Sequence, residues 1–524
     1  MRTILKVIRC ITFLICCIFA STTMLVIAGA SPVRRIPTPA VERRIHIAAP
    51  GPKESRYVYV PFDVGPHAGR ISINYQYDRA KGANTIDIGL FDARSTGSDT
   101  DPRGFRGWSG GRRSEFFVSR NEATPGYLPG VMPAGTWRII LGLYQVAPAG
   151  VDVTFKIDIE TEGKSPPTST HSERKTSSAI TAAGTVSIAD SSGPRPSLPE
   201  QNVVGRGRWW RGDLHMHTIH SDGDWTIPEL ISTARQTGLE FIFITDHNTS
   251  SHHAEIDRLS KSLKQPLVMR GEEITTYGGH TNAWGLSSGS WIDFRAHPGD
   301  AARMSQIVAE AHRAGAVISI NHPFALCGGC SWSYEAAVRD FDAIEVWNGS
   351  WDAQDELALK MWDQILQNGG RMTAIASSDS HRSANPIGQP TTHVIAQTLS
   401  QALLLKSIQQ GHVYLTANAA GPVVTFEAEF VTGKPQTRLT VGDEIHLNAP
   451  ETMRFLVATE AVRPGDTVSL ISNGKVWRTF PVKAGDQPQE IEIKCQQDSY
   501  FRLEIRDKTK TVLALTNPIY IKIK

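Results

Sequence analysis

A chain of 524 residues is too long for one hydrophobic core, so two to four domains are expected. Hydrophobic residues at 40% and charged residues at 20% exclude a disordered chain. A net charge of +2, with no long block of one sign, argues against nucleic acid and against an anionic membrane surface as partners.

The first thirty residues read as a targeting segment. Arg2, Lys6 and Arg9 make a basic start, residues 10–27 an apolar run, and Ala28-Gly29-Ala30 a small-residue cleavage site. This pattern predicts a secretory signal peptide over 1–30, with export to the periplasm or outside and no stable span after cleavage. A retained membrane anchor is the alternative, since the run has about the length of a bilayer span. Three cysteines leave with this segment, and Cys327, Cys330 and Cys495 remain. Cys327-Gly328-Gly329-Cys330 suits a redox pair, half a zinc site or a small disulfide loop. No second pair completes a zinc site, and in an exported chain the local disulfide is expected. Cys495 is expected to be a buried free thiol.

Residues 42–162 carry short runs of period-two alternation at regular spacing, which predicts a β-sandwich. Asp87 could ligate Ca²⁺, but a lone acid on one of these strands is more often a solvated or turn-capping residue, and no chemistry is assigned to it. Residues 163–204 are rich in Ser, Thr and Pro and read as a linker. From 205 to 415 short apolar runs, such as 239–244, 316–320 and 372–376, alternate with helical patterns at 228–237, 302–314 and 353–367. Such alternation predicts a parallel sheet with crossover helices, whose chemistry lies at the C-terminal strand ends. Residues 421–524 return to short alternating strands and predict a second β-sandwich.

The chemistry-bearing residues fall at those strand ends. In Asp213-Leu214-His215-Met216-His217 the two histidines sit at i and i+2, which share a face on extended chain. Asp222-Gly223 follows in a turn. Later come Thr245-Asp246-His247-Asn248, Gly271-Glu272-Glu273-Ile274, Gly279-His280, Asn321-His322-Pro323 and Ser378-Asp379-Ser380-His381. Thirteen of the seventeen histidines lie between 209 and 415. The expected metal ligands are His215, His217, Asp222, His247, Glu273, His280, His322, Asp379 and His381. Nine nitrogen and oxygen donors without a thiolate suit two or three divalent ions, Zn²⁺, Mn²⁺ or Fe²⁺. The remaining histidines (220, 252, 253, 297, 312, 393 and 412) read as core or surface residues, with His252 and His253 near enough to His247 to touch substrate. Metal-activated water acting on a phosphoester, or on a carboxyl or carbamoyl ester, is the expected reaction. Arg382 or Arg270 would hold non-bridging phosphate oxygens. Gly285-Leu286-Ser287-Ser288-Gly289 matches a nucleophile elbow, but no helix is expected after it.

This motif series resembles that of the PHP (polymerase and histidinol phosphatase) superfamily over 209–415. Segments 104–110, 123–127 and 135–137 resemble its carbaryl-hydrolase-like subgroup. The resemblance implies a distorted (β/α)7 barrel flanked by N-terminal and C-terminal β-sandwich domains, with a trinuclear site. His215, His217, Glu273 and Asp379 would hold one ion. Glu273, the acid that the family motif places after Gly-x, would bridge to a second held with His280 and His322. Asp222, His247 and His381 would hold the third. Glu273, Asp379 and Arg382 are then the expected catalytic set. The resemblance is compatible both with phosphoesterases and with carbamate hydrolysis and does not choose between them; a small-molecule phosphoester is the first expectation, a carbamate or carboxylester the alternative. A reading from another class is a cell-wall or carbohydrate-binding protein with an inactive barrel.

Overall fold

The computed structural model describes residues 35–37, 40–162, 202–203, 205–431, 438–481 and 489–524. The expected signal peptide, and the linker apart from Asn202–Val203, lie outside them. The chain is multidomain and mostly β, with five α-helices among the described residues.

Residues 40–162 form two antiparallel sheets. One orders Val151–Glu162, Ala68–Tyr77 and Glu115–Ser119; the other orders Tyr57–Val64, Gly135–Gln145, Thr85–Phe91 and Phe105–Gly110. Alternation decides which side chains face inward. Ile71, Ile73 and Tyr75 turn in from the first sheet and Ile86, Ile88, Trp137 and Ile139 from the second, into one core. Each such side chain contributes about 1.5–3 kcal/mol relative to exposure.

The middle of the chain departs from an all-parallel sheet. Gly207–Asp213, Phe241–Ile244 and Leu267–Thr276 run parallel, as do Val317–Asn321, Ala343–Asn348 and Thr373–Ser377. Between these sets Gly279–Trp284 is antiparallel to both neighbours. Only Tyr277-Gly278 separates it from the preceding strand. That is room for a hairpin and far too little for a crossover. The outer strands of this run meet through their C-terminal extensions. Met216 and Ser380 form a parallel bridge, and Asp379 N donates to His215 O at 3.0 Å.

The helices start and stop on local signals. Ile227–Thr237 opens with a Thr226–Glu229 capping box and ends at Gly238, whose φ is 82°. Ala301–Arg313 is capped by Asp300, and Ala353–Gln367 by Asp352 with Asp355. The expected sheet boundary near 415–421 is not a break in hydrogen bonding. Val413–Thr416 pairs with Thr391–Ala396 on one side and with Val512–Thr516 on the other, so the C-terminal strands extend the same 16-stranded sheet. A separate four-stranded sheet, which includes Val423–Phe430 and Glu451–Glu460, packs on this extension through Phe426, Phe455, Phe501 and Leu503.

Candidate metal centre

The nine expected ligands converge at one end of the mixed sheet. His215 and His217 leave Gly207–Asp213 on a common face, with their Nε2 atoms 3.1 Å apart. His247 follows Phe241–Ile244, Glu273 lies within Leu267–Thr276, and His280 sits on the antiparallel partner strand opposite Thr275. His322 follows Val317–Asn321, and Asp379 and His381 follow Thr373–Ser377. His322 and Asp379 take left-handed backbone, with φ of 26° and 49°, as does Asn248 at 51°. Three non-glycine residues in that region beside one site mark it as over-determined by its surroundings.

The donors fall into overlapping groups whose ligating atoms all lie within 4.8 Å of one another. These are His217, Asp222, His247 and His381; His215, His322 and Asp379; His215, His217 and Glu273; and Glu273, His280 and His322. Glu273 lies in two of them. Its Oε1 is 3.2 Å from His280 Nδ1 and 3.3 Å from His322 Nε2, while its Oε2 is 2.7 Å from His247 Nδ1 and 3.3 Å from His215 Nε2. Glu272 faces away and accepts a hydrogen bond from Ile292 N at 2.9 Å. Burial pushes its carboxyl well above the ordinary range.

The donor set fits cations. Asp222 Oδ1, Glu273 Oε2 and Asp379 Oδ1 are buried carboxylate oxygens that accept no hydrogen bond, although imidazole nitrogens stand nearby. An unsatisfied buried oxygen costs about 1–3 kcal/mol or more when charged. Ions would meet that need. Charge is arranged to match. Against the opposing effect of burial, His215, His247 and His280 hold Glu273 well below its usual carboxyl range, and His215, His217 and His381 do the same for Asp379. Burial, together with the rings of His381 and His247, lowers His217 to about 4, so it is a neutral donor near pH 7.

A surrounding set of side chains fixes these donors, and most of it was not expected. Glu345 Oε1 is 2.8 Å from His215 Nδ1, and its Oε2 accepts from His322 N and Asn348 Nδ2, both at 3.0 Å. The signal for Glu345 was an acid inside the apolar run 343–347, where nothing solvates it. Asn321 Nδ2 donates to Glu273 Oε1 at 3.1 Å. Asp246 accepts from Thr218 N at 2.7 Å and Ser221 Oγ at 2.6 Å, which holds the turn that carries Asp222.

Other expectations are redrawn. Arg270 pairs with Asp257 and donates to Leu286 O, outside the cavity, because its strand position turns it toward the helix His253–Ser260. Arg382 lies exposed at the cavity, with no side-chain partner among the described residues. His252 and His253 are fully buried and both turn to Gly271 O, so they are packing residues rather than substrate contacts. Ser287 and Ser288 are followed by a turn and no helix.

A cavity of about 640 Å³ opens above the donors. Its upper wall comes from the first β region. Asp87, Trp108, Arg112 and Tyr144 face Tyr277, His247, His280 and Asp379 across it. Tyr277 Oη donates to Asp87 Oδ2 at 2.7 Å. Burial raises the Asp87 carboxyl to about 6, against that hydrogen bond. Asp87 is therefore a half-buried cavity residue tied to Tyr277, not a turn-capping one. Gly142 lets the two regions close, since a Cβ there would collide with the Tyr277 hydroxyl and the Trp108 ring. Cys327 and Cys330 form a disulfide in the same wall, and Cys495 is buried and unpaired.

No family model matches the chain, and no curated protein matches it. Three solved structures are similar in part. A two-domain protein from Bacteroides vulgatus, described as containing a predicted PHP-like metal-dependent phosphoesterase, is 17% identical, with 62% of this chain and 99% of that chain covered and a TM-score of 0.38. An amidohydrolase from Chromobacterium violaceum, with bound sulfate and no metal, is 17% identical over 34% of this chain and 90% of that chain, at a TM-score of 0.26. The Aeromonas hydrophila periplasmic inhibitor of g-type lysozyme is 12% identical over 24% of this chain and 86% of that chain, at 0.14. These TM-scores are too low to bear on what the chain does. Among the described residues, no helix is long and apolar enough to cross a membrane.

Proposed function

We propose that the chain is an exported, metal-dependent hydrolase of the PHP type, a distorted (β/α)7 unit over 205–415 between β-sandwich domains at 42–162 and 421–524. It acts on a small-molecule phosphoester with two or three divalent ions, Zn²⁺, Mn²⁺ or Fe²⁺. One observation carries this reading: three buried carboxylate oxygens without a hydrogen-bond donor converge with six imidazoles on one cavity. In this reading His215, His217, Glu273 and Asp379 would hold one ion, Glu273, His280 and His322 a second, and Asp222, His247 and His381 a third; the closeness of His215, His217 and Glu273, and of Glu273, His280 and His322, supports the first two.

When bound, such ions lower the pKa of water toward neutrality and polarise the electrophile. The chain's own residues do the rest. Glu345 and Asn321 lock His215 and Glu273 in their ligating orientations, as second-layer partners do in metal sites. The unpartnered guanidinium of Arg382 is available to the non-bridging oxygens of a phosphoryl group, and this favours the phosphoester. The aromatic faces of Trp108, Tyr144 and Tyr277 in the same cavity favour the second reading, a carbamate or carboxylester. The intact donor set speaks against a wall-binding protein with an inactive barrel.

The test is metal analysis of the natively purified protein, followed by a screen against phosphomonoesters, phosphodiesters and aryl carbamates. Two or three ions per chain and phosphoester turnover lost on chelation are expected. Turnover of carbamates alone would select the second reading. A metal-free protein inert to all three classes, before and after loading with divalent ions, would overturn both.

A further inference from the structure

The wall of the cavity holds a second set of metal donors, masked by a covalent bond. Cys327 and Cys330 lie in the loop that follows His322 directly, and their sulfurs and one ring nitrogen of His280 are all within 4.8 Å of one another. The loop is tied to the hairpin that presents His280. Gly279 N donates to Gly329 O at 3.0 Å, and Ser333 N donates to Gly278 O at 2.8 Å. Trp332 N donates to Pro323 O at 2.9 Å and closes the loop at its base. The two sulfurs are therefore held near His280 by backbone contacts that do not depend on the bond between them. Cys327 is exposed, whereas Cys330 is buried at 7% exposure. An incoming thiolate thus has access to Cys327 Sγ, and Cys330 leaves as the thiolate beside the imidazole.

We propose that Cys327, Cys330 and His280 form a second, redox-gated site for a thiophilic divalent cation such as Zn²⁺, sharing His280 with the group of Glu273 and His322. In the oxidised chain the sulfurs are bonded to each other and His280 serves the group with Glu273 and His322. A dithiol reductant opens the site. The S–S bond takes up two electrons and two protons, two thiols form, and the reductant closes to its own cyclic disulfide. Cation binding then displaces the two thiol protons, giving two thiolates and one imidazole, with a fourth position left for water. Thiolates select such ions over the oxygen-preferring ones. His280 cannot serve both groups at full strength, because its Nδ1 is already 3.2 Å from Glu273 Oε1. Reduction in the presence of Zn²⁺ should therefore draw His280 away from the neighbouring group.

Cobalt titration tests this on the full chain, loaded with its native ions. The protein is reduced with excess dithiol, freed of it anaerobically by gel filtration, and titrated with Co²⁺ beside an oxidised sample. One further equivalent of Co²⁺ is expected in the reduced protein only, with the near-ultraviolet absorption of sulfur-to-cobalt charge transfer. That comparison needs no variant to fold. The Cys327→Ser/Cys330→Ser protein should lack the band after the same treatment, and His280→Ala should weaken the added cobalt at least tenfold. No band in the reduced wild type, an equal band in the oxidised one, or cobalt affinity unchanged in His280→Ala would each overturn the site. A second arm follows hydrolysis, and it alone rests on the hydrolase reading. Reduction with added Zn²⁺ should cut turnover at least tenfold, and reoxidation should restore it. Turnover unchanged while the cobalt band appears would overturn the sharing of His280.

Discussion

The floor and the upper wall of the cavity are built on different principles. The floor is a set of strand ends within one mixed sheet, where each donor's place follows from its strand and its register, apart from Asp222, which a turn held by Asp246 carries in. Thr275 opposes His280, and Glu273 opposes Asn282, so one hairpin sets Glu273 and His280 with 3.2 Å between their polar atoms. The wall comes from another part of the chain. Asp87, Trp108 and Tyr144 lie on strands of the first β region, and they meet the floor because that region packs against it, at Tyr277 and also at Trp291, Phe294 and Arg295. The floor should respond to substitution through metal content, and the wall through substrate and pH with metal content unchanged. That difference is what substitutions can break.

The largest effect belongs to Glu273. Glu273→Gln keeps the size but replaces a shared carboxylate with a neutral amide, whose nitrogen cannot ligate. Metal content should fall by more than one ion per chain, and hydrolysis should all but vanish. Glu272→Gln, one residue along the same strand, should leave metal content as it was, because Glu272 faces Ile292. Elemental analysis of the two purified variants checks this. A reversed outcome would mean that the strand's register is off by one.

Glu345→Gln comes next. It touches no expected ion, yet it orients His215 and anchors His322 N. A partner of this kind is worth roughly 10–100-fold in metal affinity. Competition with a chromogenic chelator measures it, and affinity within twofold of wild type would reduce Glu345 to packing.

These two residues also show what sequence can and cannot disclose. Which side chains would gather at the floor was legible, because histidines and acids punctuate the ends of apolar runs and strand ends on one side of a sheet share a locality. Glu345 was hidden inside a run that reads as plain buried strand. The antiparallel course of Gly279–Trp284 was hidden too, since alternation of runs and helices says nothing about direction; the two-residue link Tyr277-Gly278 was the clue. The boundary near 415–421 looked like a domain edge by composition, but hydrogen bonds cross it from Val413–Thr416 to Val512–Thr516. Asp87 was illegible for a different reason. Its partner, Tyr277, is 190 residues away and belongs to another core.

Gly142→Ala probes the contact between floor and wall. The added methyl would meet the Tyr277 hydroxyl and the Trp108 ring, and overpacking of this kind costs about 1–3 kcal/mol. Stability to urea should drop by that order, KM should rise, and metal content should hold. Loss of metal in this variant would show that the wall is needed to assemble the floor, and the two would then be one structure.

The smallest effect is expected at Asp87, where only a proton changes hands. Its carboxyl sits at about 6 in the folded chain against an ordinary 3.8, chiefly through burial. The folded state therefore holds more protons than the unfolded state between those values. A raised carboxyl pKa means stability that is fully present below about pH 4 and is lost as pH rises through about 6. Asp87→Asn keeps an oxygen for the Tyr277 hydroxyl and removes the titration. In the metal-free protein, the wild type should lose more stability than the variant from pH 4 to pH 6, and the two should run in parallel above about pH 7. Urea midpoints across that range measure the difference directly. His247 and Asp222 act on Asp87 through their charges, so the difference between the two curves reports Asp87 together with that coupling. Parallel curves at every pH would mean that Asp87 titrates alike in the folded and unfolded chains, with the Tyr277 hydrogen bond offsetting burial.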